Sequence, residues 1–179
     1  DKYGIIDYEG NIIIEIKYDD IEIANDTFIV KNNNKYGVLN NSNEILIEIN
    51  YEEITQYNNN YLIKNNNKYG IIDKNKNILY NLEIDYVELL NEFLLVIKNN
   101  KLGIIKDNKL ILNYEIETQN NRINSYILNN EIYINTYINN EIKTYIIKDD
   151  KIKKIIDSEL KQIDITDYNT DEENTEKDN

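Results

Sequence analysis

The feature that most constrains this chain is an internal repeat of 33 residues. Residues 2–34 and 35–67 align without a gap, and 14 of the 33 positions are identical. Four triplets mark the register, each 33 residues after the last: Lys2-Tyr3-Gly4, Lys35-Tyr36-Gly37, Lys68-Tyr69-Gly70 and Lys101-Leu102-Gly103. A fixed period of this length is typical of arrays in which each unit buries its apolar face against the next copy.

Each unit has the apolar period of a β-strand. Across the boundary between the first and second units, largely apolar segments at 28–30, 36–39 and 45–51 are separated by Asn-rich segments at 32–34 and 40–43. Asn tolerates left-handed backbone angles, so these segments predict turns. A looser connection, 52–60, leads to the next unit. Each repeat is therefore predicted to be a three-stranded antiparallel meander.

The sequence predicts an all-β fold in which these meanders form an open repeat array over residues 1–157. The predicted units are 2–34, 35–67, 68–100 and 101–130, followed by a degenerate cap at 131–157. A small β-propeller is the alternative. It is less favoured because propeller blades usually have four strands and about 40 residues.

The two ends of the array differ from its middle. In the predicted cap, Lys148, Lys151, Lys153 and Lys154 lie on the last hairpin, and lysines on an edge strand hinder the addition of further strands. Residues 158–179 are acidic and low in apolar residues, which predicts a flexible tail. Such a tail is either a site for a basic partner or a plain linker. Because the chain begins at Asp1 and contains no Met, we expect a processed chain or a fragment.

Composition excludes several classes of function. The chain of 179 residues has a formal net charge of −13, which argues against a nucleic-acid partner. It contains no His and no Cys, so the commonest general base and the thiolate metal ligands are missing. No apolar run reaches the roughly 18 residues of a membrane span. We therefore predict no enzyme activity, no catalytic or metal-binding residues, no cofactor and no membrane span.

The repeat resembles the WG-repeat (KWG-repeat) family, whose unit is KWG-(V/F)-ID-x-x-G-(K/N)-x-VIPP-x-YDDI. The first unit carries the pattern from Lys2 to Ile21, the second repeats it at 47–54, and the third at 71–73 and 84–87. Tyr stands in place of the signature Trp, and Glu-Ile stands in place of the proline pair. The resemblance implies a β-rich repeat domain, common in bacteria and often attached to other modules, without catalytic residues.

Two sets of repeated residues are candidates for function. The first is the triplet set: Tyr3, Gly4, Tyr36, Gly37, Tyr69, Gly70 and Gly103. We interpret it as structural, with Tyr packing between units and Gly allowing a bulge or a close backbone approach; the alternative is a ladder of exposed rings that stack a ligand. The second set is a candidate ligand face: Tyr18, Asp19, Asp20, Tyr51, Glu52 and Glu53. Solvated turn residues are the favoured interpretation, and a row of weak cation sites is the alternative.

The predicted function is a non-enzymatic module for protein–protein interaction or scaffolding, since repeat arrays present one continuous surface built from equivalent positions. The alternative is a carbohydrate- or cell-wall-binding module that uses Tyr rings and Asn amides. The exposure of Tyr3, Tyr36 and Tyr69 discriminates between the two. An enzyme could use carboxylates alone, as in glycoside hydrolysis, and is the least favoured hypothesis.

Overall fold

The computed structural model describes residues 1–139 and 141–159. In this part of the chain there is no helix that could span a membrane. The regular structure consists of β-strands: β1 (Tyr3–Ile6), β2 (Ile12–Tyr18), β3 (Asp20–Ala24), β4 (Thr27–Asn32), β5 (Lys35–Asn40), β6 (Ile45–Tyr51), β7 (Glu53–Tyr57), β8 (Asn60–Asn65), β9 (Lys68–Asp73), β10 (Ile78–Ile84), β11 (Tyr86–Leu90), β12 (Phe93–Lys98), β13 (Lys101–Lys106), β14 (Lys109–Glu117), β15 (Ile123–Leu128), β16 (Glu131–Ile138), β17 (Glu141–Lys148) and β18 (Lys151–Glu159).

These strands form five antiparallel sheets that follow one another along the chain. The first sheet contains only β1 and β2. The second to fifth sheets contain β3–β6, β7–β10, β11–β14 and β15–β18, each in sequence order. The described sheets form an open array and do not close into a barrel. The predicted all-β fold, antiparallel pairing and 33-residue period are thus confirmed.

The predicted number of strands per sheet was wrong, because four of the five described sheets have four strands and not three. The segment interpreted as a loose connection contains β7, the first strand of the third sheet. Only Ile54 and Tyr57 of this strand are buried, and the polar residues between them disguise it. The sheets therefore run from β3 to β6 and from β7 to β10, out of phase with the triplet-defined units. Each has the strand number of a propeller blade, in an open arrangement.

The Asn-rich segments form the tight turns that the sequence predicts. Asn33 and Asn34 have φ angles of 50° and 60°, and Asn66 and Asn67 repeat this conformation at 50° and 58°. Asn adopts the left-handed region more readily than other non-glycine residues, because its short amide can bond the local backbone. Asn60, at the end of the predicted loose connection 52–60, begins β8 instead and is buried.

The core consists of apolar layers between successive sheets. Between the second and third sheets, Ala24, Ile29 and Val38 pack against Tyr61 and Ile63. Equivalent clusters lie on both sides of this layer, and the largest joins the fourth sheet to the fifth. Burial of these β-branched side chains stabilises the array, at about 25 cal/mol per Å² of apolar surface removed from water.

The C-terminal sheet contains strands where the sequence predicts a cap. The predicted strands within 131–157 correspond to β16, β17 and β18, and β15 joins them as a fourth. β18 is the outermost strand. Lys148 pairs with Glu131 at 3.2 Å, and Lys153 pairs with Asp149 at 3.7 Å. The predicted tail lies outside the described residues from position 160 onward.

Candidate functional site

The glycine of each triplet permits a close approach between two strands. A Cβ atom on Gly37 would lie 2.8 Å from the carbonyl oxygen of Ile47 and 2.6 Å from Cγ1 of Ile49. Gly4, Gly70 and Gly103 face a carbonyl oxygen of the neighbouring strand in the same way. The partner strand bulges at this point, since Tyr36 pairs with Tyr51 while Val38 pairs with Ile47. The structure therefore contains both features predicted at these glycines, the close backbone approach and a bulge in the paired strands.

The tyrosines of the triplets are only partly packed. Tyr36 and Tyr69 are half-buried, and the ammonium groups of Lys31 and Lys64 lie 5.2 Å and 5.1 Å from their ring centroids. Both distances fall within the range of a cation–π contact. Tyr3, in the first sheet, is exposed. None of the three rings is fully buried, so their exposure does not remove the ring-stacking hypothesis.

Asp19 connects two sheets instead of facing a ligand freely. Its carboxylate accepts a 2.8 Å hydrogen bond from Lys2 Nζ and a 2.7 Å hydrogen bond from the backbone N–H of Asn33. The contact with Lys2, followed by that with Asn33, lowers the pKa of the Asp19 carboxyl below its ordinary value. The neighbouring Asp20 accepts a hydrogen bond from the N–H of Ile21, its own successor in the chain.

The candidate ligand face is not one continuous surface. Tyr18 is buried in the layer between the first and second sheets. Tyr51 is half-buried, and burial raises the pKa of its hydroxyl. Glu52 and Glu53 are exposed, and Glu53 lies 3.6 Å from Lys64. In the described ranges, no three Asp, Glu, His or Cys side chains are grouped so that they could hold a metal ion.

An exposed apolar row, which sequence reasoning missed, lies at one position of the repeat. Ile12, Ile45 and Ile78 are spaced by 33 residues and are 63%, 43% and 63% exposed. They lie on β2, β6 and β10, the last strands of the first three sheets. We call these three residues the isoleucine row. Its sequence signal is an unbroken apolar run at 12–14, 45–47 and 78–80, where a half-buried edge strand needs alternation.

A second exposed feature is an aromatic stack near the C-terminal end of the array. The rings of Tyr126 and Tyr133 are 5.0 Å apart and nearly parallel, with an interplanar angle of 5°. The two residues face each other across β15 and β16, and Tyr126 is exposed. The Tyr133 hydroxyl donates a 3.2 Å hydrogen bond to Glu131. This arrangement offers a flat apolar platform beside a carboxylate.

Comparison with known proteins identifies the repeat. Residues 3–36 and 36–69 both match the model of the WG containing repeat. The first two units of the chain are thus similar to the WG repeat. The predicted resemblance is thus confirmed for the first two units, whose Tyr-Gly dipeptides stand at the Trp-Gly position of the WG repeat. No curated protein matches the sequence.

Several solved structures are similar to this chain. The N-terminal domain of Nup159 has a TM-score of 0.47 and 11% identity, covering 80% of this chain and 45% of that one. A complex from S. cerevisiae of Dbp5 with Nup159, Gle1, IP6 and ADP has a TM-score of 0.44, 11% identity, and coverage of 80% and 44%. PorZ, a surface component of the type-IX secretion system of Porphyromonas gingivalis, has a TM-score of 0.36, 12% identity, and coverage of 88% and 24%. The chain spans less than half the length of each of these chains.

Proposed function

We propose that the WG-repeat array is a non-enzymatic module that binds another protein. The observation that carries this proposal is the isoleucine row. Ile12, Ile45 and Ile78 recur at one register of the repeat and leave about half or more of each side chain in water. Ordered rows of exposed apolar side chains, rimmed by polar groups, are typical of protein-binding surfaces.

The surroundings of the row support a protein partner over a nucleic acid. On β2, Glu15 and Lys17 form a 2.5 Å ion pair, and Ile16 of the same strand is also exposed. The formal net charge of −13 disfavours phosphate groups. A partner with an apolar strip flanked by basic residues matches this surface, because both apolar burial and opposite charge favour the complex.

The side-chain inventory supports a binding role over catalysis. The chain contains neither His nor Cys, so the commonest general base and the thiol nucleophile are missing. Two of the repeated carboxylates, Asp19 and Asp85, accept hydrogen bonds from lysines and from backbone N–H groups. These bonds favour the ionised form of both groups, which is unsuited to donating a proton.

A triple variant tests the binding surface. Ile12→Ser, Ile45→Ser and Ile78→Ser together remove the apolar row at exposed sites, so the fold should be retained. We expect the variant to lose the partner that the parent captures from a cell extract. The matched control is Ile23→Ser with Leu89→Ser, two exposed residues at another repeat position. Equal capture by the triple variant and the control would contradict the proposal.

A carbohydrate-binding role is the second candidate, favoured by the stacked pair of Tyr126 and Tyr133. The C–H face of a sugar ring can pack on the exposed face of Tyr126. The carboxylate of Glu131 can then accept hydrogen bonds from the sugar hydroxyl groups. The parent protein should then be retained on insoluble polysaccharide. The variant Tyr126→Ala should lose this retention. Tyr8→Ala is the control, because Tyr8 is fully exposed and unstacked.

A further inference from the structure

We propose that Tyr57, Asp107 and Asn108 form a binding site for the ammonium group of a lysine side chain. Tyr57 is the last residue of β7 in the third sheet, and Asp107 and Asn108 form the turn between β13 and β14 of the fourth sheet. We call these three residues the ammonium site. The inference rests on the proposed function only in assigning the lysine to a protein partner.

The hydroxyl of Tyr57 is the first observation that points to a ligand. The residue is 4% exposed, and within the described residues its hydroxyl oxygen is buried without a hydrogen-bond partner. Such groups are uncommon in folded proteins, because nothing offsets their loss of hydration. The repeat framework does not require a hydroxyl here, since Ala24 and Leu90 stand at the equivalent positions. The hydroxyl is therefore a specific feature of this layer.

A second buried tyrosine shows how the fold satisfies such a hydroxyl by itself. The Tyr61 hydroxyl lies 2.6 Å from Thr27 Oγ1, which in turn donates a 2.7 Å hydrogen bond to the carbonyl of Ala24. Asn60, the residue of β8 that pairs with Tyr57, makes no such contact. Its amide donates a 2.6 Å hydrogen bond to Oδ1 of Asn108 in the next sheet.

The turn of the fourth sheet contributes a negative charge and a carbonyl group. The Tyr80 hydroxyl donates a 3.2 Å hydrogen bond to the backbone carbonyl of Asn108, which holds the turn against the third sheet. The carboxylate of Asp107 is exposed, and in the described part of the chain it forms no ion pair. The neighbouring Lys106 pairs with Glu92 at 2.6 Å instead. The charge of Asp107 is therefore free to bind a cation.

These groups match an ammonium ion in number and in charge. An ammonium group has three N–H donors and no acceptor. The acceptors are the carboxylate of Asp107, the hydroxyl oxygen of Tyr57 and the carbonyl of Asn108, which has a second lone pair. Burial, followed by the charge of Asp107, raises the pKa of the Tyr57 hydroxyl, so the hydroxyl stays neutral. An anion is disfavoured by Asp107 and by the net charge of −13.

The ammonium group reaches Tyr57 by displacing the side chain of Asn108. This side chain belongs to an exposed two-residue turn, and its recorded side-chain contact is the hydrogen bond from Asn60. The displacement exchanges one neutral hydrogen bond for charge-assisted bonds, which are roughly twice as strong. The exchange therefore favours the bound lysine.

The methylene chain of a lysine fits the approach to the ammonium site. Leu110 and Tyr80 are half-buried and belong to the same apolar cluster as Tyr57. By its strand pairing, Leu110 stands at the register of Ile78, one sheet further on. A lysine stem that covers Leu110 and Tyr80 therefore continues the isoleucine row, with its charged end at the turn.

A lysine analogue tests the site directly. We would titrate Nα-acetyl-lysine methylamide into the isotope-labelled full chain and follow the backbone amide signals by NMR. Saturable shifts are expected at Asn60, Asp107 and Asn108. The Nε-acetylated analogue has the same stem and no charge, so it should bind at least about tenfold more weakly.

Two conservative variants separate the ammonium site from the rest of the surface. Tyr57→Phe removes a hydroxyl without a partner in the free protein, so the fold is retained, and it should weaken binding of the analogue about fivefold or more. Asp107→Asn keeps the left-handed turn, since Asn33 and Asn66 adopt the same φ of 50° in their turns. It should weaken binding at least about tenfold. Asp26→Asn is the matched control and should leave the affinity unchanged, because Asp26 lies beside Tyr61, whose hydroxyl already has a partner.

Three results would overturn the proposal. The lysine analogue could fail to bind, or it could bind Tyr57→Phe and Asp107→Asn as tightly as the parent. Calcium or potassium chloride could instead shift the same amides while the analogue does not, which would make this a metal-ion site. The ammonium site contains none of the three isoleucines of the row, so the triple serine variant should bind the analogue as the parent does. Failure of the ammonium site and failure of the proposed function are therefore distinguishable.

Discussion

Asp85 accepts a 2.7 Å hydrogen bond from the backbone N–H of Asn99 and forms an ion pair with Lys68. Lys68 begins β9 in the third sheet, whereas Asn99 lies in the turn between β12 and β13 of the fourth sheet. The carboxylate therefore links successive sheets across the one residue that separates them along the chain. Asp19 forms the same link between the first and second sheets, through Lys2 and Asn33.

The link is missing where the repeat carries Glu instead of Asp. Glu52 occupies this position between the second and third sheets, and by the 33-residue register Lys35 and Asn66 are the counterparts of Lys2 and Asn33. Within the described ranges its carboxylate forms no ion pair with Lys35. Glu52→Asp shortens the side chain by one methylene and should install the link. We expect the free energy of unfolding in urea to rise by about 1 kcal/mol, the scale of one partly exposed charge-assisted hydrogen bond.

The adjacent Glu53→Asp is the control for that gain. Glu53 lies on β7 and faces Lys64 at 3.6 Å, so shortening it brings no carboxylate to Asn66. The free energy of unfolding of the Glu53→Asp variant should be unchanged or slightly lower than that of the parent. A gain of similar size in both variants would show that the link is not the cause.

Stability should depend on pH through Asp85. The hydrogen bond from Lys68, assisted by that from Asn99, lowers the pKa of the Asp85 carboxyl in the folded state. A carboxyl with a lower pKa in the folded than in the unfolded chain contributes stability above its unfolded pKa, near 4, and loses it as the pH falls through the folded value. Asp85→Asn should therefore lower the free energy of unfolding by about 1–2 kcal/mol at pH 6 and by much less at pH 3.

Urea denaturation at both pH values measures this difference. Glu48→Gln is the control, because Glu48 is an exposed carboxylate of β6. Its free energy of unfolding should differ little from that of the parent at either pH. If Asp85→Asn lowered the free energy of unfolding by the same amount at pH 6 and at pH 3, the carboxylate would act through packing rather than through its charge.

Gly37 should be intolerant of any side chain. A Cβ atom there meets the backbone at Ile47 O and Ile49 Cα, both at 2.8 Å, and backbone cannot move aside as a side-chain tip can. Gly37→Val should lower the free energy of unfolding, measured by heat or urea, by about 1–3 kcal/mol, as at other overpacked sites. Gly10 provides the contrast, since it has a φ of +89° and no atom within 4 Å of its Cβ position. Gly10→Asn should cost less than Gly37→Val, and the reverse order would refute the close-approach role.

The sequence predicts the fold where a residue type has one physical use. The Asn pairs at 33–34 and 66–67 need left-handed angles, and the triplet glycines mark one strand in each of the first four sheets, so both were identified. β7 was missed because edge strands bury few side chains: Thr55 and Gln56 separate Ile54 from Tyr57 and make the segment polar. Counting strands from apolar content alone therefore loses the edge strand of each sheet.

The candidate surface was harder to predict, because sheet packing decides which face of a strand is covered. Tyr18 and Tyr51 are equivalent in sequence, yet Tyr18 is buried and Tyr51 is half-buried. Conversely, Ile12 and Ile14 are both apolar, and only Ile14 reaches the core. The bulge opposite each triplet glycine shifts the alternation, so period-two counting assigns the wrong face on one side of it.

The last prediction concerns the C-terminal end of the array. Deleting 131–179 removes β16, β17 and β18, and with them Ile134 and Tyr145, which pack on Leu102 and Ile104 of the fourth sheet. In a linear array, loss of an end unit subtracts its own stability and one interface, so this chain should melt lower than the parent. The bared apolar layer should also aggregate, which light scattering during the melt will record.

Deleting only 166–179 is the matched control and should leave the melting temperature unchanged, since those residues hold too few apolar groups to repay their ordering entropy. A soluble 131–179 deletion that melts like the parent would show that the fourth sheet does not need its neighbour, and that residues 131–157 are not the cap.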